Sequence, residues 1–158
     1  MSDVVLEKPS CVLLDLDNTI YEYDPCHEAG LNAACREVGT KLGMPAADFK
    51  KLYGQAREQI KQRLGKTAAS HNRLLYFQRA LELGGIGSQP GHALSLERAY
   101  WRSFLAKSKL LPESEEFLDD LRINGIPIVI VTDLTAAIQM RKYLFSVSYT
   151  HLTLPTKA

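Results

Sequence analysis

The run Cys11, Val12, Leu13, Leu14 contains neither glycine nor proline, and Asp15 and Asp17 follow it closely. Such a run is typical of a strand buried in a parallel sheet, and ligands of α/β proteins bind at the carboxyl ends of these strands. Side chains two positions apart in an extended segment share a face, so Asp15 and Asp17 are expected to point into one small volume. Because two like charges in one volume repel each other, the pair predicts a bound cation or a chemical role.

A second apolar strand is predicted at residues 126–131, after an amphipathic helix at 114–123 that stops at Asn124 and Gly125. This strand ends in Thr132 and Asp133, and another helix is expected from Leu134 onward. A hydroxyl side chain therefore follows the second strand at the position where Asp15 follows the first.

Helices dominate the segment between the two strands. Asp24 is expected to cap the first helix with Pro25 behind it, and Ser70 is expected to cap the third. The glycine-rich residues 84–91 predict a loop. Four amphipathic helices in series predict a small bundle inserted into an α/β core. The predicted helices cover residues 24–42, 45–64, 70–83 and 94–106.

The order of these features resembles the haloacid dehalogenase (HAD) superfamily, whose first motif is Asp-x-Asp-x-Thr after a hydrophobic strand. The resemblance implies that Asp15 is the nucleophile that attacks phosphorus and that Asp17 is the general acid and base. It also implies an Mg²⁺ ion bound by Asp15 and Asp17, the latter through its backbone carbonyl. Thr19 completes the motif as a positioning residue.

The second strand matches the second motif of the superfamily, a strand that ends in Thr or Ser. The resemblance implies a phosphate-binding set made of Asn18, Thr19, Thr132 and Asp133. The usual residue after the Thr is Asn, so Asp133 departs from the pattern while its backbone amide keeps the same role.

The helical insertion corresponds to a cap of the subfamily that places its cap directly after the first motif. The expected division is a partial Rossmann-like core at residues 9–23 and 111–145, a helical cap at 24–110 and a non-native tail at 146–158. Caps of this kind exclude water and select the substrate. Tyr21, His71 and Arg73 are the candidates for substrate contact, whereas Trp101 is expected in the core of the bundle.

Composition excludes some classes of partner. The net charge of the 158 residues is +1, so neither nucleic acid nor an anionic membrane is expected as a partner. The three cysteines lack metal-type spacing and predict reduced thiols, with Cys11 in the core. No segment approaches the length of a membrane span, so a cytoplasmic enzyme is expected. The sequence makes no prediction of oligomeric state.

Residues 147–156 resemble the one-frame translation of a transposon adaptor used in preparing sequencing libraries. The chain is therefore expected to be an N-terminal fragment that lacks the third-motif Lys and the fourth-motif acidic residue of the superfamily. Lys142 follows Thr132 too closely to be that Lys and is expected to face away from the strand ends. The chain alone is expected to be inactive and poorly folded, with the strand at 126–131 exposed.

The resulting hypothesis is a magnesium-dependent phosphatase that forms an aspartyl-phosphate intermediate. Dehalogenases of the superfamily lack the second Asp of the first motif, so Asp17 favours a phosphate ester as substrate. A nucleotide and a sugar phosphate both stay open as substrates. The alternatives are a phosphomutase, which keeps both acids, and a non-catalytic helical interaction module.

Overall fold

The computed structural model describes residues 8–132 and 134–148, the last three by their backbone only. Its sheet, within these residues, has two parallel strands, β1 (Val12–Leu14) and β2 (Ile128–Ile130). The register aligns Leu14 with Ile130, and the Val131 amide donates to the Leu14 carbonyl at 2.9 Å. The expected parallel strands are confirmed, and this ladder sets Asp15 beside the end of β2.

The two faces of the sheet differ in burial. Leu14 is buried, and Ile128 and Ile130 pack against the hydrophobic core. Leu13 and its register partner Val129 point to the other face and are 68% and 48% exposed. The expected burial of β1 is found on one face only, because the described helices cover only one side of the sheet. Cys11 is also exposed instead of lying in the core.

Six α-helices fill the rest of the described chain, and the predicted helical insertion between the strands is confirmed. A 3₁₀ turn at Ala68–His71 precedes the third helix. No helix of the described residues is long and apolar enough to cross a membrane. The helices are α1 (Tyr23–Leu42), α2 (Ala46–Leu64), α3 (Arg73–Leu83), α4 (Pro90–Lys107), α5 (Pro112–Ile123) and α6 (Ala136–Ser148).

Several helix ends differ from the sequence expectations. Asp24 lies in the first turn of α1 and does not cap it, because the helix begins at Tyr23. The cap of α3 is Asn72, whose Oδ1 accepts the Leu74 amide at 2.9 Å, while Ser70 lies in the preceding 3₁₀ turn. Helix α4 begins at Pro90, four residues before the expected start, since proline suits the first turn of a helix. Gly43 ends α1 with a φ of 66°, as its left-handed preference predicts.

Aromatic side chains form the core of the α1–α4 bundle. Tyr100 lies at its centre, with ring centroids 5.8 Å from Phe77 and 5.9 Å from Phe104. Trp101 packs edge-on against Tyr100 at 5.0 Å and is buried, which confirms its predicted core position. Interlocked rings of this kind fix the four helices against one another.

We expect Gly30→Ala to destabilise the protein, because a Cβ at Gly30 would lie 2.8 Å from the Tyr100 ring. Overpacking of this kind costs about 1 to 3 kcal/mol of the free energy of unfolding. Gly54→Ala is the matched control, since a Cβ there meets nothing within 4 Å and alanine favours a helix. Urea denaturation of both variants measures the difference, and a Gly30→Ala variant as stable as Gly54→Ala would contradict the packing of α1 against α4.

Candidate active site

A tight turn connects β1 to α1. The Leu16 carbonyl accepts hydrogen bonds from the Thr19 and Ile20 amides, at 3.3 and 3.2 Å. Asn18 has a φ of 58°, a conformation that asparagine tolerates better than most residues, and its Oδ1 accepts the Tyr23 amide at 2.8 Å. The side chain of Asn18 therefore holds the start of α1, and Asn18 and Thr19 are both exposed beside the strand ends.

Asp15 is exposed at the carboxyl end of β1. Its Oδ1 accepts the Leu16 amide at 2.8 Å, while the described residues give Oδ2 no hydrogen-bond partner. Leu14 precedes Asp15, and Val131 precedes Thr132. The hydrogen bond from the Val131 amide to the Leu14 carbonyl therefore brings Asp15 close to Thr132. The carboxylate is thus held by the backbone on one side and open to a ligand on the other.

Asp17 is bound on both carboxylate oxygens. Lys142 Nζ lies 2.6 Å from Oδ1 and 2.8 Å from Oδ2, and the Tyr21 hydroxyl also donates to Oδ1. The negative charge of Asp15 is also close enough to stabilise the protonated form of Lys142 and so to raise its pKa. The expected repulsion between the two acids is therefore offset by a lysine of the chain itself.

Lys142 does not face away from the strand ends, so that expectation is wrong. Its side chain is 1% exposed, and Nζ lies within 6 Å of the ring centroids of Tyr23, Trp101 and Phe104. Burial lowers the pKa of Lys142, while the bond to Asp17 opposes that shift. The helical spacing of Ile138, Lys142 and Phe145 was the sequence signal for an inward-facing lysine.

Tyr21 is fully buried, and its hydroxyl donates to Asp17, so its contact with the substrate stays a prediction. Burial, and then the hydrogen bond to Asp17, raise the pKa of its hydroxyl well above the usual value. A neutral hydroxyl is a permanent donor to the carboxylate. Tyr21 therefore positions Asp17 and does not reach the surface.

Thr132 follows β2, and its hydroxyl oxygen accepts hydrogen bonds from residues of the segment that leads into α6 and of α6 itself. Oγ1 accepts the Leu134 amide at 3.1 Å and the Gln139 side-chain amide at 2.6 Å. Gln139 is buried, and its Oε1 has no partner among the described residues. Sequence reasoning missed Gln139, which orients the Thr132 hydroxyl. Asp133, the fourth predicted phosphate-binding residue, lies outside the described residues.

The other predicted substrate contacts are His71, which ends the 3₁₀ turn, and Arg73, which begins α3. Arg73 is buried, and its guanidinium donates to the Tyr23 hydroxyl, to the Tyr100 hydroxyl at 3.3 Å and to the His71 carbonyl at 2.8 Å. His71 is half-buried. Both residues line a cavity that faces α6.

His27 gives the bundle a pH-dependent stability. Burial and the charges of Arg73 and Arg57 lower the pKa of His27 to about 4, and its Nδ1 bonds to the Tyr100 hydroxyl at 2.7 Å. The unfolded chain binds this proton near pH 6.5, so we expect stability to fall as pH drops from about 6.5 to 4. Thermal melts at pH 7 and pH 5 measure this effect. The melting temperature should fall less between these two pH values in His27→Gln than in the parent. Equal losses in both proteins would contradict this assignment.

The donor groups near Asp15 fit magnesium only in part. No group of three or more His, Cys, Asp or Glu side chains lies close enough to hold a metal among the described residues. Mg²⁺ in phosphoryl-transfer sites uses one or two carboxylates and fills its shell with water and phosphate oxygens. The open oxygen of Asp15 and the backbone carbonyl of Asp17 suit that mode, whereas the Asp17 carboxylate is occupied by Lys142.

Comparisons with known proteins give the family and the fold of the chain. A family model described as haloacid dehalogenase-like hydrolase matches residues 9–146. A protein of Halopiger xanaduensis named ribulose-1,5-bisphosphate 5-phosphatase is 44% identical over 135 residues, which are 84% of this chain and 56% of that protein. The chain thus spans little more than half of that relative. A crystal structure of a haloacid dehalogenase-like family hydrolase from Xanthomonas campestris has the same fold, with a TM-score of 0.53, 14% identity and coverage of 87% of this chain and 57% of that one.

Proposed function

Because this chain belongs to the family of haloacid dehalogenase-like hydrolases, we propose that its protein hydrolyses the phosphate monoester of a small sugar through a covalent intermediate on Asp15. The observation that carries the proposal is the open Asp15 carboxylate at the carboxyl edge of the sheet, next to the Thr132 end of β2. A carboxylate held on one oxygen by the backbone is oriented for attack with the other.

The proposed reaction has two steps. An Asp15 oxygen forms a bond to phosphorus while the bond from phosphorus to the ester oxygen breaks, and Asp17 gives a proton to the leaving sugar oxygen. Water then attacks the phosphorus, Asp17 takes the proton of that water, and the bond from phosphorus to Asp15 breaks to release inorganic phosphate. The Thr132 hydroxyl, together with the exposed residues Asn18 and Thr19 and with Asp133, would hold the phosphate oxygens.

Asp17 must leave its contact with Lys142 during this cycle. Both Asp17 oxygens accept hydrogen bonds from Lys142, so neither is free to exchange a proton with substrate. The Tyr21 hydroxyl, which donates to Asp17 Oδ1, keeps Asp17 in position when the lysine moves. The proposed cycle therefore includes a small displacement of α6 near Lys142.

Magnesium is the proposed cofactor, held by the Asp15 carboxylate and the Asp17 carbonyl. When bound, it would neutralise part of the charge that accumulates on the phosphate oxygens. The chain's own contribution is to bring one open carboxylate and one backbone carbonyl to the same edge of the sheet.

The α1–α4 bundle is the proposed cap, and residues 9–23 and 111–145 the proposed core. Lys142 of α6, which binds Asp17, also lies 5.8 Å from the ring centroid of Trp101 of α4, which supports a cap that closes on this site. A sugar phosphate is favoured over a nucleotide because the Halopiger xanaduensis relative is named as a phosphatase of a sugar bisphosphate.

The proposal is tested with protein made from the complete genomic reading frame that contains this chain. Release of inorganic phosphate is measured with and without Mg²⁺ from pentulose phosphates, hexose phosphates and nucleoside monophosphates. We expect magnesium-dependent release, fastest from a pentulose phosphate. Phosphorus NMR of the products distinguishes hydrolysis from transfer to a second sugar position, which would identify a mutase. Absence of turnover on every ester would favour the interaction-module alternative.

A further inference from the structure

A cavity of about 170 Å³ lies between the bundle and the start of α6. The bundle contributes His71, Arg73, Glu97 and Trp101 to its wall, and α6 contributes Arg141. Leu134 also lines the cavity and donates its backbone amide to Thr132 Oγ1 at 3.1 Å, so the cavity begins beside the proposed phosphate site. A molecule that reacts at Asp15 could extend into this space.

Arg73 is a buried cation without a buried anion. It is 8% exposed, and three hydrogen bonds to neutral oxygens account for three of its five N–H groups. None of the ion pairs among the described residues includes it. The rings of Tyr76, Tyr100 and Trp101 lie 5.3 to 6.0 Å from its guanidinium carbon and offset part of the cost of burial. Because no carboxylate of the described residues pairs with it, its place in a cavity wall indicates a ligand with negative charge.

Arg141 of α6 also lines this cavity and gives it a second guanidinium. A guanidinium group can donate two parallel hydrogen bonds to the oxygens of a phosphate group, which a lysine ammonium cannot do. Glu97, also in the wall, accepts hydrogen bonds from hydroxyl groups, and the two arginines outweigh its charge. Phosphate together with hydroxyl groups is the chemistry of a phosphorylated sugar.

We propose that this cavity binds the second phosphate of a sugar bisphosphate whose first phosphate reacts at Asp15. The inference rests on the proposed function and narrows its substrate class to esters with two separated phosphate groups. Arg73 and Arg141 bind the distal phosphate, and Glu97 binds a hydroxyl of the sugar.

The test uses protein from the complete reading frame and compares Arg141→Ala and Arg73→Lys with Arg36→Ala, an exposed arginine of α1 outside the cavity wall. The measured quantity is the ratio of kcat/KM for a pentulose 1,5-bisphosphate to kcat/KM for a pentulose 5-phosphate. We expect each cavity variant to lower this ratio about tenfold to hundredfold, the effect of losing one charged hydrogen-bonding group. Arg36→Ala should leave the ratio as in the parent.

A second measurement does not need turnover. In the Asp15→Asn background, titration calorimetry of the bisphosphate should show a similar loss of affinity with Arg141→Ala. Arg141 is exposed, so this variant tests the cavity even if Arg73→Lys fails to fold. Unchanged ratios and affinities would overturn the distal phosphate site while leaving the phosphatase proposal intact. If no ester is hydrolysed at all, the proposed function fails, and calorimetry still reports on the cavity. Tighter binding of a phosphorylated sugar acid would assign the cavity to a carboxylate instead.

Discussion

Asp15→Asn is expected to abolish phosphate release in the complete protein while leaving its fold unchanged. The amide has the shape of the carboxylate but lacks the charged oxygen that forms the bond to phosphorus. Loss of a nucleophile in a covalent mechanism lowers kcat by about 10⁴-fold or more. The exposed position of Asp15 and its one hydrogen bond to the Leu16 amide mean that stability should change little.

The matched control is Asp24→Asn, an exposed carboxylate in the first turn of α1. Both proteins are purified through the same steps, and steady-state phosphate release and thermal melts are recorded for each. An Asp15→Asn preparation with more than a trace of activity, at a level above contaminating phosphatase, would rule out the covalent mechanism. Loss of activity together with a large fall in melting temperature would instead assign Asp15 a structural role.

Asp17→Asn is expected to destabilise the fold as well as to stop turnover. Lys142 is 1% exposed and lies among aromatic rings, so removal of the Asp17 charge leaves a buried ammonium without a counter-ion. Breaking a buried pair in this way costs about 3 kcal/mol of the free energy of unfolding, the low end of the usual range. The low end applies because the Asp17 side chain keeps 24% of its surface exposed.

The double variant Asp17→Asn/Lys142→Met separates the two effects of Asp17. Methionine fills the space between the rings without a charge, so stability in urea should recover most of the loss while activity stays absent. Lys142→Met alone should be nearly as stable as the parent, because it removes the buried charge and leaves Asp17 partly hydrated. A double variant as unstable as Asp17→Asn would show that the unpaired ammonium of Lys142 is not the cause of the lost stability.

The local patterns of this chain predicted its architecture well. Apolar runs that end in polar residues marked both strands and put Asp15 and Thr132 at one edge of a parallel sheet, as found. Helical periodicity located the inserted bundle and the core position of Trp101. The family resemblance, drawn from the order of these features, is confirmed over residues 9–146. Such features depend on neighbours in sequence, so the sequence alone reveals them.

The ends of the helices were harder to predict, because several residues near each end compete for the same free amides. Asn72 caps α3 in place of Ser70, and α1 begins before Asp24. A cap is chosen by the backbone path that the packed helix takes. That path is set by contacts of the helix with other elements.

Side-chain partners across the chain emerged only from tertiary packing. Asp17 and Lys142 are 125 residues apart in sequence, and no local pattern joins them. The sequence named Tyr21 and Arg73 as candidates for substrate contact, but it could not reveal that both side chains are buried. Tertiary packing buries these groups and gives them their partners: Lys142 and Tyr21 bind Asp17, while Arg73 binds the hydroxyls of Tyr23 and Tyr100.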